Sequence, residues 1–254
     1  MIISIVTPGI RMTLASKHNW SEWDKESIIS MVSLIRDDIV NCTLTVDQFH
    51  KIITQHIKKY MPIRSRKSQE LQVEPTFVWV GGVYHTEYDK NHEKSIELCL
   101  AFSWADQYLT YSGRRFNRLC GRIADVLLHE IIHMRQARKR KFKDLPGYSS
   151  TAESTKQRQE QEYLGDNDEI DAYAFNMACE LHEKFRGDMK LIVNYLNEEQ
   201  KGKRRHFDTW RTYLKTFNWD QNHRIVKRIK KRSIYYLSKT QISKPYHSKD
   251  WIHR

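Results

Sequence analysis

The sequence predicts an α+β fold that is mostly helical, with a small β-sheet, one long helix and a basic helical C-terminal extension. Apolar residues recur at helical spacing over much of the 254-residue chain. Two stretches near the middle are instead rich in β-branched and aromatic residues. Because positive charge concentrates at the C-terminal end, we assign one domain to residues 1–200 and the extension to residues 201–254.

Two helices are predicted before the first β-rich stretch. Residues 20–40 carry an apolar stripe at helical spacing, and either Ser21 or Asp24 can cap the start of this helix. The second helix begins at the sequence TVDQ, where Thr45 and Gln48 can form a capping box, and ends before a proline.

The two β-rich stretches predict two strands of one sheet or a hairpin. The first is TFVWVGGVY, residues 76–84. The second is SIELCLAF, residues 95–102, in which apolar and other residues alternate. The residues between them are polar and typical of a turn.

The second half of the chain is predicted to be helical. Apolar residues recur every three or four positions over residues 115–140, which indicates a long helix. Residues 149–162 contain no apolar residue larger than alanine and favour a mobile surface loop. Asp166 or Asn167 then caps a further helix. Three more helices are expected near residues 188–199, 206–217 and 222–238.

Composition favours a reduced, cytoplasmic protein without a membrane anchor. No apolar run approaches the roughly 20 residues that span a bilayer, and the first residues lack the pattern of a signal peptide. The cysteines are far apart and form no C-x-x-C pair, which is typical of free thiols rather than a disulfide framework. They are Cys42, Cys99, Cys120 and Cys179.

Residues 201–254 account for the whole net charge of the chain, which is +12. This segment has sixteen Lys or Arg residues and three Asp residues, a balance of +13, so the first 200 residues are nearly neutral. Nonspecific contact with nucleic-acid phosphates fits this charge, although no known nucleic-acid-binding module is present. The alternative is that the aromatic residues pack inward and the basic residues are solvated. The aromatic residues between the charges are Trp210, Tyr213, Phe217, Tyr235 and Tyr236.

The sequence VLLHEIIHMRQ, residues 126–136, places polar side chains in the most apolar part of the long helix. His129 and His133 lie one turn apart on one face, so their imidazoles can share one zinc ion at about 2.0–2.1 Å. Glu130 lies one position round the helix, where it can hold a water molecule and remove its proton. Chance gives roughly 0.04 H-E-x-x-H matches in such a chain. The alternative is two hydrogen-bonded core histidines and a surface glutamate.

A catalytic zinc ion usually has three protein ligands, so a third ligand must come from elsewhere in the chain. The preferred candidate is Glu169 in the sequence GDNDEIDAYAF, because it lies at the start of an amphipathic helix. Glu169 can alternatively be the N3 acid of a capping box with Asp166. The other candidates for the third ligand are His182, Glu162, Asp166 and His206.

The sequence LLHEIIHMRQ followed by YLGDNDEIDAYAF resembles the zincin metallopeptidases of the gluzincin type. It is most similar to small metallopeptidases of phages and bacteria, and more distantly to the ImmA/IrrE and SprT-like families. The ImmA/IrrE-type second motif is E-x-E-A-x-x-F-A; Glu169 and Ala172 match its first Glu and its Ala, and Asp171 stands in place of its second Glu. The resemblance covers about residues 95–180 and implies a zincin-like domain in which Glu169 is the third ligand.

Three weaker assignments complete the predicted site. Gln136 can hydrogen-bond a ligand histidine or be a solvated helix residue. Tyr163 or Tyr173 can donate to an oxyanion or be an ordinary core or rim tyrosine. The strand over residues 95–102 can pair with an extended substrate, as zincin edge strands do, or be a plain core strand.

The predicted function is zinc-dependent hydrolysis of peptide bonds in an intracellular protein or peptide substrate. Zn²⁺ is held by His129, His133 and Glu169, and Glu130 is the general base. The resemblance to phage proteins extends the expected location to the host cytoplasm during infection. The alternative is a nucleic-acid-binding protein with a structural or vestigial zinc site. A protease of nucleic-acid-bound proteins would unite both features.

Overall fold

The computed structural model describes residues 24–70, 73–199 and 209–239. Over these residues the protein is α+β and mostly helical, as the sequence predicts, and it contains two small sheets where one was expected. None of the helices in these three ranges combines the length and the apolar character needed to cross a membrane.

Helices and strands alternate in the first part of the chain, and helices alone follow. The first part contains α1 (Lys25–Ser33), α2 (Arg36–Ile39), β1 (Thr43–Thr45), α3 (Val46–Tyr60), β2 (Ile63–Glu70), β3 (Val78–Tyr84), α4 (Thr86–Lys90), β4 (Ile96–Ser103), β5 (Tyr108–Thr110) and α5 (Gly113–Lys139). The second part contains α6 (Thr155–Gly165), α7 (Asn167–Phe185), α8 (Met189–Asn197), α9 (Thr209–Thr216) and α10 (Arg224–Ser238).

Local capping explains where the first helices begin. Asp24 caps α1 by accepting a hydrogen bond of 2.7 Å from the Ser27 amide. The helix predicted over residues 20–40 is interrupted after Ser33 and continues as the short α2; the residues before Asp24 lie outside the described ranges. The capping box of α3 is confirmed, since Thr45 and Gln48 exchange side-chain to main-chain hydrogen bonds of 2.9 and 3.2 Å.

The main sheet has the strand order β2-β4-β3. β2 runs parallel to β4, with Ile63 opposite Ile96, and β3 runs antiparallel to β4, with Val78 opposite Phe102. The predicted strand pair is therefore confirmed. A sequence such as IRSRKSQE in β2 gives no apolar alternation, so this strand was not predicted from the sequence. β1 and β5 form a separate antiparallel pair.

The mobile loop predicted over residues 149–162 is wrong from Thr155 onward, where α6 begins. Polar contacts rather than a wide apolar face anchor this helix. The buried Gln161 side chain donates to the Thr216 carbonyl at 2.8 Å and accepts from Ser150 at 2.5 Å. Apolar periodicity cannot report a helix that is held in this way.

Two hydrophobic clusters organise the fold. The first lies between the sheet and the helices α1, α3 and α5. The second is formed by α6, α7, α8, α9 and α10. Helix α7 connects them, since its Ile170 and Met177 belong to the second cluster while Phe175 packs against the first.

The described part of the C-terminal extension packs into the second cluster. Trp210 and Tyr213 of α9, and Phe217 directly after it, are at most 2% exposed, so these aromatic side chains are core residues, as the inward-packing alternative proposed. Ile225 and Ile229 of α10 join them. Residues 201–208 and 240–254 lie outside the described ranges. The domain boundary at residue 200 stays a prediction.

Because α10 packs against this core, shortening a side chain on its buried face should strongly lower the free energy of unfolding. Ile229→Ala should lower the free energy of unfolding by about 2–5 kcal/mol, because a fully buried isoleucine leaves a cavity. Lys227→Ala, on the exposed face of the same helix, is the matched control and should change it by less than about 0.5 kcal/mol. Denaturant unfolding of the full chain measures both; equal effects would contradict the described packing.

Candidate metal centre

The H-E-x-x-H sequence lies in the second half of α5, as predicted. Ser112 caps this helix, and a nearly continuous set of apolar side chains buries it against the sheet and α1. His129 and Glu130 are each only 7% exposed. Polar groups buried so deeply lose hydration and need partners inside the protein.

His129, His133 and Glu169 meet at one point between α5 and α7. Nε2 of His129 lies 3.0 Å from Nε2 of His133. The two Glu169 carboxylate oxygens lie 3.2 Å from His129 Nε2 and 3.4 Å from His133 Nε2. One ligand atom from each of the three side chains lies within 4.8 Å of the others. The preferred third candidate is thus beside both histidines.

The hydrogen bonds of Gln136 determine which nitrogen of His133 carries a proton. The Gln136 amide nitrogen donates to the Asp168 carbonyl at 3.1 Å and to an Asp171 carboxylate oxygen at 3.3 Å. The amide oxygen therefore faces His133 Nδ1 at 3.1 Å and can only accept from it. In the neutral ring this leaves Nε2 of His133 as a lone-pair donor directed at the shared point. Gln136 is therefore not a merely solvated residue.

The shared point suits a cation. Glu169 Oε2 is buried and has no hydrogen-bond partner of acceptable geometry among the described residues, although His129 Nε2 is nearby. Two imidazole nitrogens and two carboxylate oxygens surround the point, and too few protons lie between them to satisfy every lone pair. A metal ion would satisfy all three side chains at once.

The electrostatics of the three side chains follow the same geometry. Burial acts to raise the pKa of Glu169, but its interactions with the neighbouring His129 and His133 outweigh burial and lower the value to about 2. Burial acts to lower the pKa of His133, but its hydrogen bond and charge interaction with Glu169 raise it overall. Glu169 is therefore a carboxylate at neutral pH, which is the form that binds metal.

Glu130 lies beside this centre and faces strand β3. Burial raises the pKa of its carboxyl group, against the lowering effect of the two histidines. The main chain of Tyr84 also acts to lower this pKa. A Cβ atom on Gly82 would lie 2.8 Å from the Glu130 side chain and 2.7 Å from Val126, so only glycine allows β3 to approach α5 here. Sequence reasoning missed Gly82, although a glycine inside a strand often marks such an approach.

Two tyrosines border the centre. The Tyr173 ring packs against His129 with centroids 4.6 Å apart. The Tyr163 hydroxyl, on the half-exposed side, lies 3.4 Å from that of Tyr173. Charge interaction with Glu169 adds to burial in raising the pKa of both phenols, so both hydroxyls keep their protons.

The other candidates for the third ligand do not join this cluster among the described residues. Glu162 instead accepts a hydrogen bond from the Ser150 amide, and Asp166 caps α7 through the Asp168 amide. His206 lies outside the described ranges. The Glu169 side chain is turned toward the histidines and therefore does not form the alternative capping box with Asp166.

The predicted substrate strand needs correction. The strand over residues 95–102 is the central strand β4, hydrogen-bonded on both sides, so it has the plain core role. Over the described residues, β2 and β3 are the two edge strands of this sheet, and β3 runs beside Glu130. The alternation of apolar residues could not show whether β3 or β4 is the central strand, because the order of strands in a sheet depends on tertiary pairing.

Comparisons of the chain with protein-family models, with curated proteins and with solved structures gave no match.

The close approach of β3 to α5 at Gly82 predicts that an added methyl group at this position destabilises the protein. Gly82→Ala should lower the free energy of unfolding by about 1–3 kcal/mol, because its methyl group would overlap Val126 and Glu130. Gly121→Ala in α5 is the matched control: its Cβ meets nothing within 4 Å, so better helix propensity should stabilise the protein by about 0.5–1 kcal/mol. Thermal and denaturant unfolding compare the two; a neutral Gly82→Ala would refute the described contact.

Proposed function

We propose that the protein is a zinc-dependent hydrolase of peptide bonds. The observation that carries the proposal is the meeting of His129, His133 and Glu169 at one buried point, with a further buried carboxylate, Glu130, beside it. The resemblance of the two sequence motifs to gluzincins supports the same assignment. We extend the proposal to a zincin-like fold, in which the H-E-x-x-H helix lies under a small sheet with an antiparallel edge strand.

The donor set favours zinc over the common alkaline-earth ions. Two imidazoles and one carboxylate are typical of catalytic zinc sites, which keep one position open. Calcium and magnesium prefer oxygen ligands only. The orientation of His133 by Gln136 matches the outer hydrogen bonds that usually fix a metal-binding histidine. When bound, zinc would polarise a substrate carbonyl and increase the acidity of water.

Glu130 is proposed as the general base. Its carboxylate is too far round the helix to share the ligand face, yet it interacts electrostatically with both histidines and Glu169. It would take a proton from the attacking water and transfer it to the leaving amine. The absence of a side chain at Gly82 leaves room for the Glu130 side chain beside β3.

Tyr173 and Tyr163 are proposed to stabilise negative charge on the reacting carbonyl. Both hydroxyls are protonated donors, and one belongs to the helix that carries Glu169. A donor already placed at the developing oxyanion lowers the barrier without reorganisation.

An extended peptide is the proposed substrate because β3 is an edge strand beside the proposed base. A peptide can add to such an edge through main-chain hydrogen bonds, with alternate side chains directed to the two faces. Trp79 and Val83, both exposed on β3, offer apolar contacts for such side chains. We place the activity in the cytoplasm, since the four cysteines are all free thiols. This proposal includes the host cytoplasm during phage infection.

The protein is expected to bind one zinc ion per chain. His129→Ala, His133→Ala and Glu169→Ala should each weaken binding by more than the about 10–100-fold that loss of an outer partner costs. His92→Ala, at an exposed histidine, is the matched control and should bind like wild type. Metal analysis with chelator competition gives the affinities. Full zinc binding by both His129→Ala and His133→Ala would rule out this site.

Catalysis and metal binding are separable at Glu130. Glu130→Gln should keep zinc, because the residue is not a ligand, and should lose about 10²–10⁴-fold in cleavage rate because the base is gone. Glu160→Gln, at an exposed position on α6, controls for the loss of one charge. Mass spectrometry of new peptide ends, after incubating zinc-loaded protein with a library of unfolded peptides, measures the rate. The hydrolase proposal fails if wild type and Glu130→Gln yield the same ends.

A further inference from the structure

Helix α10 has one buried face and one strongly basic face. Between Arg224 and Ser238 it contains six Lys or Arg residues and no acidic residue. Its buried face packs into the second hydrophobic cluster and is formed by Ile225, Val226, Ile229 and Ser233. Because the apolar face is used inside the protein, only the basic face is available to a partner.

The basic residues form a stripe along the exposed face. Arg224, Arg228, Lys231 and Tyr235 follow one another at helical spacing, and all four are exposed. At 1.5 Å per residue the stripe is about 16 Å long. Lys227, also exposed, lies at its flank. We call these five residues the α10 stripe.

Two of these cations contact neutral groups, which do not cancel their charge. Arg228 donates to the Asn167 side-chain oxygen, and the Arg224 guanidinium lies 5.0 Å from the Tyr148 ring centroid. Within the described part of α10, an acidic partner is seen for Arg232, which pairs with Asp171. Oriented but uncompensated cations on one stripe produce a positive potential that attracts polyanions.

Two open grooves flank the stripe at Arg228. One, about 430 Å³ in volume, has Arg224 and Arg228 on one side and residues 146–149 on the other. The second, about 330 Å³, continues past Arg228 to Arg232 and is also lined by Asp168 and Asp171. The first groove, which no acidic residue of the described ranges lines, can receive a small anionic group next to guanidinium donors, which bind phosphate through paired hydrogen bonds.

We propose that the α10 stripe binds the phosphate backbone of nucleic acid without sequence preference. A row of cations on a rigid helix fits a polymer with regularly spaced charges, and exposed Tyr235 at the end of the row offers a stacking surface for a base. Insertion into an anionic membrane is disfavoured because it requires an exposed apolar face, which α10 does not present. This interaction does not depend on the proposed hydrolase activity.

The test compares full-length charge variants by fluorescence anisotropy with a 20-base-pair duplex of mixed sequence. If the four stripe cations each neutralise one phosphate, the slope of log K against log salt should be about −3.6. The triple variant R224Q/R228Q/K231Q leaves one of them, so its slope should fall to about −0.9 and its affinity at about 50 mM salt should drop at least tenfold. The matched control K51Q/K59Q/K94Q removes the same charge at exposed lysines elsewhere and should stay near wild type.

Each contrary result is decisive. No wild-type binding at about 50 mM salt, where counterion release is favourable, overturns the proposal. An equal loss in the control triple variant shows that net charge, not the stripe, is responsible, and overturns it also. Binding to phosphatidylserine vesicles without binding to the duplex also overturns it, because the partner would then be a lipid surface. Zinc content and the unfolding midpoint of the R224Q/R228Q/K231Q variant should match wild type, which separates this test from that of the metal centre.

Discussion

The structure depends on bringing α5 and α7 together at one buried, polar point. Three side chains that can donate lone pairs, His129, His133 and Glu169, occupy a region where hydration is lost. Burying such groups costs several kcal/mol unless each finds a partner. The ion-pair contact of Glu169 with the histidines compensates part of this cost, and a shared cation would compensate the rest. The remaining architecture serves to hold the two helices at that distance.

Polar links at the C-terminal end of α5 fix the helix against its neighbours. Arg140 donates to the Asp168 carboxylate at 2.7 Å, and Gln136 donates to the main chain of the same residue, so two contacts tie α5 to the start of α7. Arg138 pairs with Asp89, whose side chain is only 2% exposed, and so ties α5 to α4. A one-residue displacement of α5 would break all of these contacts together. The geometry of the centre is therefore determined by the surrounding structure and not by the three side chains alone.

Sequence patterns predicted the parts of the fold that rest on local chemistry. The α3 capping box, the long helix with its buried H-E-x-x-H and the start of α7 each follow from residues a few positions apart. The proximity of Glu169 to the histidines was also anticipated, because a carboxylate at the start of an amphipathic helix projects from a rigid element. What could not be predicted depends on distant partners. Helix α6 is anchored through Gln161 to Thr216, β2 is a polar strand stabilised by its neighbour, and the edge position of β3 is decided by strand order.

The position of α10 changes how the basic C-terminal segment should be understood. Its charge suggested an appended arm, yet Arg232 pairs with Asp171, and Asp171 accepts from Gln136, which orients His133. The helix that carries the basic stripe is thus connected to the candidate metal centre by three successive polar contacts. Deleting the segment would remove this support and expose the apolar side of the second cluster. A deletion would therefore confuse loss of nucleic-acid binding with loss of the fold. Substitutions confined to the exposed stripe leave the buried face and the Arg232 contact in place.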